Sequence, residues 1–226
     1  VQVQVLSSVP YDGALMKTIQ FGTSGHRGII GQSFTNDHLK AIARALANYF
    51  KLEKISKPII LIGYDTRTGN SPSLEKNSYT HTLVHELLNC KIMVDFCDNY
   101  TPTPVISWAV NTHTYNLGII LTASHNPPNY NGIKINDESG APAPVELTDW
   151  IQNEANKLLE TIDTDERITF IKPHVTTVNY IPEFIDHLTH LLKQNFKLPF
   201  PDFSNEFVID PKCGSSIEIW RAITSA

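Results

Sequence analysis

Cysteine is scarce in this chain: Cys90, Cys97 and Cys213 are the only three among 226 residues. An odd number without a Cys-x-x-Cys spacing excludes a disulfide framework and offers no zinc pattern, so free or buried thiols in a reducing compartment are expected. Positive charge is also short, with 18 Lys and Arg against 23 Asp and Glu and a net charge of −5. Neither nucleic acid nor a membrane surface is an expected partner, because both select a basic patch. No apolar run reaches the roughly 18 residues that cross a bilayer. The opening Val1-Gln-Val-Gln-Val-Leu6 has no basic segment ahead of an apolar one, so no secretory leader is expected. A cytoplasmic location follows as the expectation.

Several catalytic motifs are missing as well. Gly22-Thr-Ser-Gly-His-Arg-Gly28 has the spacing G-x-x-G-x-x-G, which is neither the dinucleotide G-x-G-x-x-G nor a P-loop followed by Gly-Lys-Ser/Thr. His81 and His85 sit at i and i+4 but have no third ligand and no His-Glu-x-x-His pattern, so a packed or solvated helix face is expected. Ser124 lies in Ala-Ser-His, not in the G-x-S-x-G elbow of a serine hydrolase.

What is present reads as an ordinary globular protein, 41% hydrophobic and 18% charged. Lys17 to Phe21 alternates like a half-buried strand and leads into the glycine-rich segment, which as a loop could wrap an anion. Asn36 is a candidate N-cap for a helix to about Phe50. Strands are expected at Pro58 to Gly63, Lys91 to Phe96 and Leu117 to Leu121, with helices from Ser73 to Asn89 and Thr101 to His113 between them. This βαβ alternation predicts a three-layer α/β/α fold around a mostly parallel mixed sheet. A return strand over Gly132 to Ile135, helices over Leu147 to Leu159, Tyr180 to Leu192 and Gly214 to Ile223, and a strand at Phe207 to Asp210 complete the pattern. Residues 161–178 read as a connector, and a boundary falls near 175–205.

The apolar run ending at Leu121 gives way to Thr122-Ala-Ser-His-Asn-Pro-Pro128. Asn-Pro-Pro stiffens this turn, which places Ser124 at the C-terminal end of a strand, where open α/β sheets hold ligands. The return strand carries Lys134 back beside the loop. Tyr64-Asp-Thr-Arg67 is a second charged cluster at a strand end, in which Asp65 and Arg67 either support the serine loop or simply pair with each other. Asn126 is expected to hold the turn through its own backbone.

Thr122-Ala-Ser-His-Asn-Pro127 followed by Asn131-Gly-Ile-Lys134 resembles the phosphoserine loop of the α-D-phosphohexomutases. Phe21-Gly-Thr-Ser-Gly-His-Arg-Gly28 is similar to the N-terminal motif of the phosphoglucomutase branch, and Gly63-Tyr-Asp-Thr-Arg67 also has a counterpart in the family. Val208-Ile-Asp-Pro-Lys-Cys-Gly-Ser-Ser-Ile-Glu-Ile-Trp220 resembles the opening of the second of four family domains. The resemblance implies residues 1–190 as the phosphoserine domain and 191–226 as the truncated start of a second, similar α/β domain.

The activity implied is that of an isomerase, an intramolecular phosphotransferase acting on glucose 1-phosphate and glucose 6-phosphate through a phosphoserine and a bisphosphorylated sugar. Mannose or glucosamine phosphates are alternatives within the family. Ser124, Lys134, Arg27 and His125 are the implied catalytic residues, with Lys134 and Arg27 sharing the general acid and base roles in either order. Thr23, Ser24, Arg27, His125 and Lys134 would bind substrate. Ser124 would be one ligand of a Mg²⁺ ion whose other ligands lie outside this chain, and a hexose 1,6-bisphosphate would serve as activator. The family's metal, sugar and second phosphate loops have no match in this sequence, so an incomplete, inactive fragment is expected. The rival expectation is a non-catalytic module that binds phosphosugar or a partner. Oligomeric state is left open.

Overall fold

The computed structural model describes residues 18–22, 25–162, 175–196, 208–212 and 214–224. Thirteen elements alternate in the order β1 (Phe21–Gly22), β2 (Gly25–Ile29), α1 (Asn36–Leu52), β3 (Ile59–Tyr64), α2 (Tyr79–Asn89), β4 (Met93–Cys97), α3 (Thr103–Thr112), β5 (Leu117–Leu121), β6 (Tyr130–Asn136), α4 (Val145–Leu159), β7 (Thr176–Val178), α5 (Ile181–Phe196) and α6 (Ile217–Thr224). The strands form one seven-stranded sheet in the order β1-β2-β6-β5-β3-β4-β7. β2, β3, β4, β5 and β7 run one way, while β1 and β6 run against them. This is the mixed, mostly parallel α/β sheet that the alternation predicts.

The two central strands explain themselves chemically. Ile59–Tyr64 and Leu117–Leu121 are buried along almost their whole length, as strands covered by helices on both faces must be. Helix α1 packs against both α2 and α4, and α3 lies on β3 and β5 with α5 against it and α6 against α5. Gly63 and Gly118 leave room for α3, since a Cβ at either would sit 2.4 Å or 2.6 Å from Ile106 or Val110. Val105, Ile181 and Ile185 make a small separate cluster where α5 meets α3.

Several boundaries differ from the sequence pattern for identifiable reasons. The N-cap of α1 is Thr35, not Asn36. Its Oγ1 accepts from the His38 amide, and His38 Nδ1 accepts from the Thr35 amide, a reciprocal capping box. Helix α2 starts at Tyr79 because Leu74 and Asn77 adopt φ of 53° and 66°, which breaks any helix through them. The second half of the expected anion loop is strand β2, paired antiparallel with β6. The connector holds a strand, β7, beside β4. Residues 208–210 form no strand, and Cys213 lies outside the described residues. Cys90 and Cys97 are free thiols. His81 and His85 stack at 5.7 Å on α2, and no group of three or more potential metal ligands occurs among the described residues.

Candidate active site

Parallel strands β3 and β5 end side by side, with Tyr64 opposite Leu121. Their next residues, Asp65 and Thr122, therefore begin two adjacent loops at the C-terminal edge of the sheet, where ligands of open α/β folds are held. Ser124 is exposed at the tip of the second loop with φ of 52°. That left-handed conformation costs a non-glycine residue on the order of 1–2 kcal/mol, so the surroundings must hold it. Thr122 does part of this: its Oγ1 accepts from the Ser124 amide at 2.9 Å and donates to Asp65 Oδ2 at 2.6 Å.

Strand register brings the basic residues in. Arg27 on β2 lies opposite Gly132 on β6, so Lys134, two residues further along β6, is its diagonal neighbour on the same face. Gly132 must lack a side chain. A Cβ there would lie 2.7 Å from Thr122 O and 2.9 Å from Arg27 Cγ, across the path the arginine takes to the loop. Arg27 Nη1 donates to Asn126 Oδ1 at 2.8 Å and Ala123 O at 3.3 Å, and Nη2 reaches Ser124 Oγ at 3.5 Å. Burial and then the Arg27 charge lower the Lys134 ammonium below its usual range, against a raising influence from Asp65. Burial and then the neighbouring Arg67 lower Arg27 as well. Two arginines thus reach the serine residue, with Lys134 close enough to Arg27 to feel its charge, an arrangement stabilised when an anion joins it.

Arg67, at the end of the β3 loop, spans the serine loop from behind. Its Nη1 donates to Pro127 O at 2.8 Å and Tyr130 O at 2.9 Å, and its Nη2 donates to Ser124 O and Asn126 O, both at 2.7 Å. Nε lies 3.4 Å from Asp65 Oδ2, so both functions considered for this pair are realised at once. Asn70 and Asn131 extend the network, with Asn70 Nδ2 donating to Leu121 O and Asn131 Nδ2 to Asn70 Oδ1, each at 3.1 Å.

Arg27 is therefore brought to Ser124, and Lys134 to the neighbourhood of Arg27 and Asp65. His125 is adjacent but exposed, and makes no hydrogen bond among the described residues. Thr23 and Ser24 lie outside the described residues. Asn126 does more than hold its turn, because its side chain receives Arg27. Thr122, Asn126, Asn70 and Arg67 were invisible as a network in the sequence. The one available cue was a charged or polar residue directly after each parallel strand. A cleft of about 560 Å³ opens at Ser124, its lining including Arg67, Thr101, Thr103, Lys212 and Ser215. Arg27 and Lys134 stand outside its walls.

The fold and this loop define an α/β domain that presents a serine hydroxyl among cations at a sheet edge. Residues 18–161 match the family model described as phosphoglucomutase/phosphomannomutase, alpha/beta/alpha domain I. The chain belongs to that family. It is 31% identical over 217 residues to a phosphoglucomutase of Komagataeibacter xylinus, covering 91% of this chain and 38% of that protein. It is 30% identical over 186 residues to a phosphoglucosamine/phosphogalactosamine mutase of Sulfurisphaera tokodaii, covering 79% of this chain and again 38% of the relative. Among solved structures, Paramecium parafusin, titled a phosphoglucomutase in its open form, superposes with a TM-score of 0.71 at 23% identity, over 96% of this chain and 42% of that one. That likeness concerns the fold alone. The chain thus spans well under half the length of these relatives.

Proposed function

We propose that this chain supplies the phosphoserine part of a phosphohexomutase, with glucose 1-phosphate and glucose 6-phosphate as its substrates. Ser124 Oγ carries the phosphoryl group. The P–O bond to serine breaks as a new one forms to the free hydroxyl of a hexose monophosphate, whose proton passes to a base. The resulting hexose 1,6-bisphosphate turns over and returns its other phosphate to Ser124 by the reverse step, so that phosphate has moved between C1 and C6. The same bisphosphate would prime an unphosphorylated serine.

The observation that carries this reading is the exposed Ser124 hydroxyl, held in a left-handed turn with the Arg27 guanidinium 3.5 Å away. Arg27 can fork onto phosphoryl oxygens. Lys134, with a proton held less tightly than in solution, suits proton transfer to or from the sugar hydroxyl. His125, exposed beside the serine, is left to reach substrate.

This chain's described residues do not by themselves fit a magnesium ion. Ser124 offers one oxygen, while the neighbouring Asp65 carboxylate is already taken by Thr122 and Arg67, and hard cations need several free oxygens. The remaining ligands are proposed to come from outside the chain, in keeping with a second domain beginning near residue 191. The choice of glucose rests on the segment ending in Gly28. Glucosamine phosphate is the second reading, favoured by the match to an amino-sugar phosphate mutase.

The test uses the intact polypeptide incubated with glucose 1-phosphate and glucose 1,6-bisphosphate. Intact mass and peptide mapping are expected to find one phosphoryl group on Ser124. Ser124→Ala is expected to cut turnover by at least about a thousandfold. Unimpaired turnover in that variant would end the proposal, and a protein that binds the sugar phosphate with no phosphorylation would be the non-catalytic module instead.

A further inference from the structure

We propose that Arg67 is a positioning residue for Ser124, one that sets the rate of phosphoryl transfer without touching the sugar phosphate. The inference rests on the phosphoserine reading above. Its ground is where the guanidinium nitrogens are held. Both terminal nitrogens spend both their N–H groups on loop carbonyls, at 2.7 to 2.9 Å from Ser124, Asn126, Pro127 and Tyr130. Nε is buried without a hydrogen bond, 3.4 Å from Asp65 Oδ2, and only 11% of the side chain is exposed. The terminal nitrogens keep no N–H for a substrate and Nε is shut off from solvent, although Arg67 lies in the wall of the cleft.

Two consequences follow for the serine. The bond to the carbonyl of Ser124 itself fixes the ψ side of a residue whose amide is already held by Thr122, so the left-handed turn is gripped from both ends. Four carbonyl oxygens are also drawn to the back of the loop. Left free, these negative dipole ends could face the phosphoryl group that Ser124 must carry, and would repel it. A lysine cannot replace this fork, since a single ammonium with three donors does not span four carbonyls.

Arg67→Lys in the intact polypeptide is expected to lower kcat at least about tenfold while KM for glucose 1-phosphate stays within about twofold, as for a misplaced nucleophile. Amide hydrogen exchange is expected to quicken across residues 124–130 and to stay unchanged in β3 and β5. In Arg67→Ala, guanidinium ion at millimolar level is expected to restore part of kcat, and methylammonium is not. A lysine variant with wild-type kcat, a loss confined to KM, or a kcat loss with unaltered loop exchange would each overturn the proposal. So would a lysine variant that fails to fold. Wild-type protein that never becomes phosphorylated on Ser124 would sink the functional reading instead, and the exchange measurement would still report on the loop.

Discussion

At the scale of single residues, the site works by placing charge beside a strained turn. Ser124 is exposed, yet its backbone is bound at both ends, which is how a costly conformation persists there. One buried neighbour of the site makes a separate prediction. His26 follows Gly25 on β2 with its ring turned to the opposite face from Arg27, 3% exposed, against Phe34 at 5.7 Å and His38 at 5.3 Å. Burial, and then the charge on His38, push its pKa down to about 4. The folded state therefore holds fewer protons than the unfolded state between about pH 4 and 6.5, and stability falls as pH drops through that window. The full effect is on the order of 3 kcal/mol. Urea midpoints measured at pH 7 and pH 4.5 should show the decline, and His26→Phe should flatten it.

At the scale of elements, the antiparallel pair β2 and β6 is what turns two motifs distant in sequence into one site. The pairing of Arg27 with Gly132 decides both the side on which Lys134 emerges and the route Arg27 takes to the loop. Gly132→Ala places a methyl against Thr122 O and His26 O, each at 2.7 Å, as well as Arg27 Cγ. Two of these three are backbone atoms that cannot rotate away. The substitution should cost about 1–3 kcal/mol, the usual range for overpacking, and should push Arg27 off Asn126. Chemical denaturation checks the first expectation, and a crystal structure of the variant checks the second. The Lys134 amine, already lowered by burial, gains stability for the fold as pH rises toward its unfolded value of 10.5.

At the scale of the molecule, the larger hydrophobic core runs from Ile19 to Ile162, closely matching the family segment 18–161, and a smaller cluster joins α3 to α5. No helix among the described residues is long and apolar enough to cross a membrane. The lining of the cleft at Ser124 includes Lys212 and Ser215, from the segment proposed to open the next domain. With Ser124 as the phosphoserine proposed above and too few free oxygens for a metal among the described residues, the 226-residue chain alone should show no interconversion of glucose phosphates. A coupled assay for glucose 6-phosphate at high protein concentration tests this, and turnover above the no-enzyme rate would refute it.

The sequence alone determined the alternation of strands and helices and the position of the serine loop. Short, β-branched apolar runs between turn signals suit covered strands, and Asn-Pro-Pro stiffens a turn. The motifs that hold Ser124 and Arg27 were legible as contiguous residues, and the fold brings those two side chains to 3.5 Å. The sequence did not show that Gly25–Ile29 is a strand, because a glycine-rich segment lacks the β-branched residues that announce one. Nor could it choose between the two fates of Arg67, since four carbonyls from residues 124 to 130 meet its guanidinium only after β3 and β5 align. Carbonyl oxygens are common to every residue and leave no trace in sequence, so a network built on them is decided by tertiary structure.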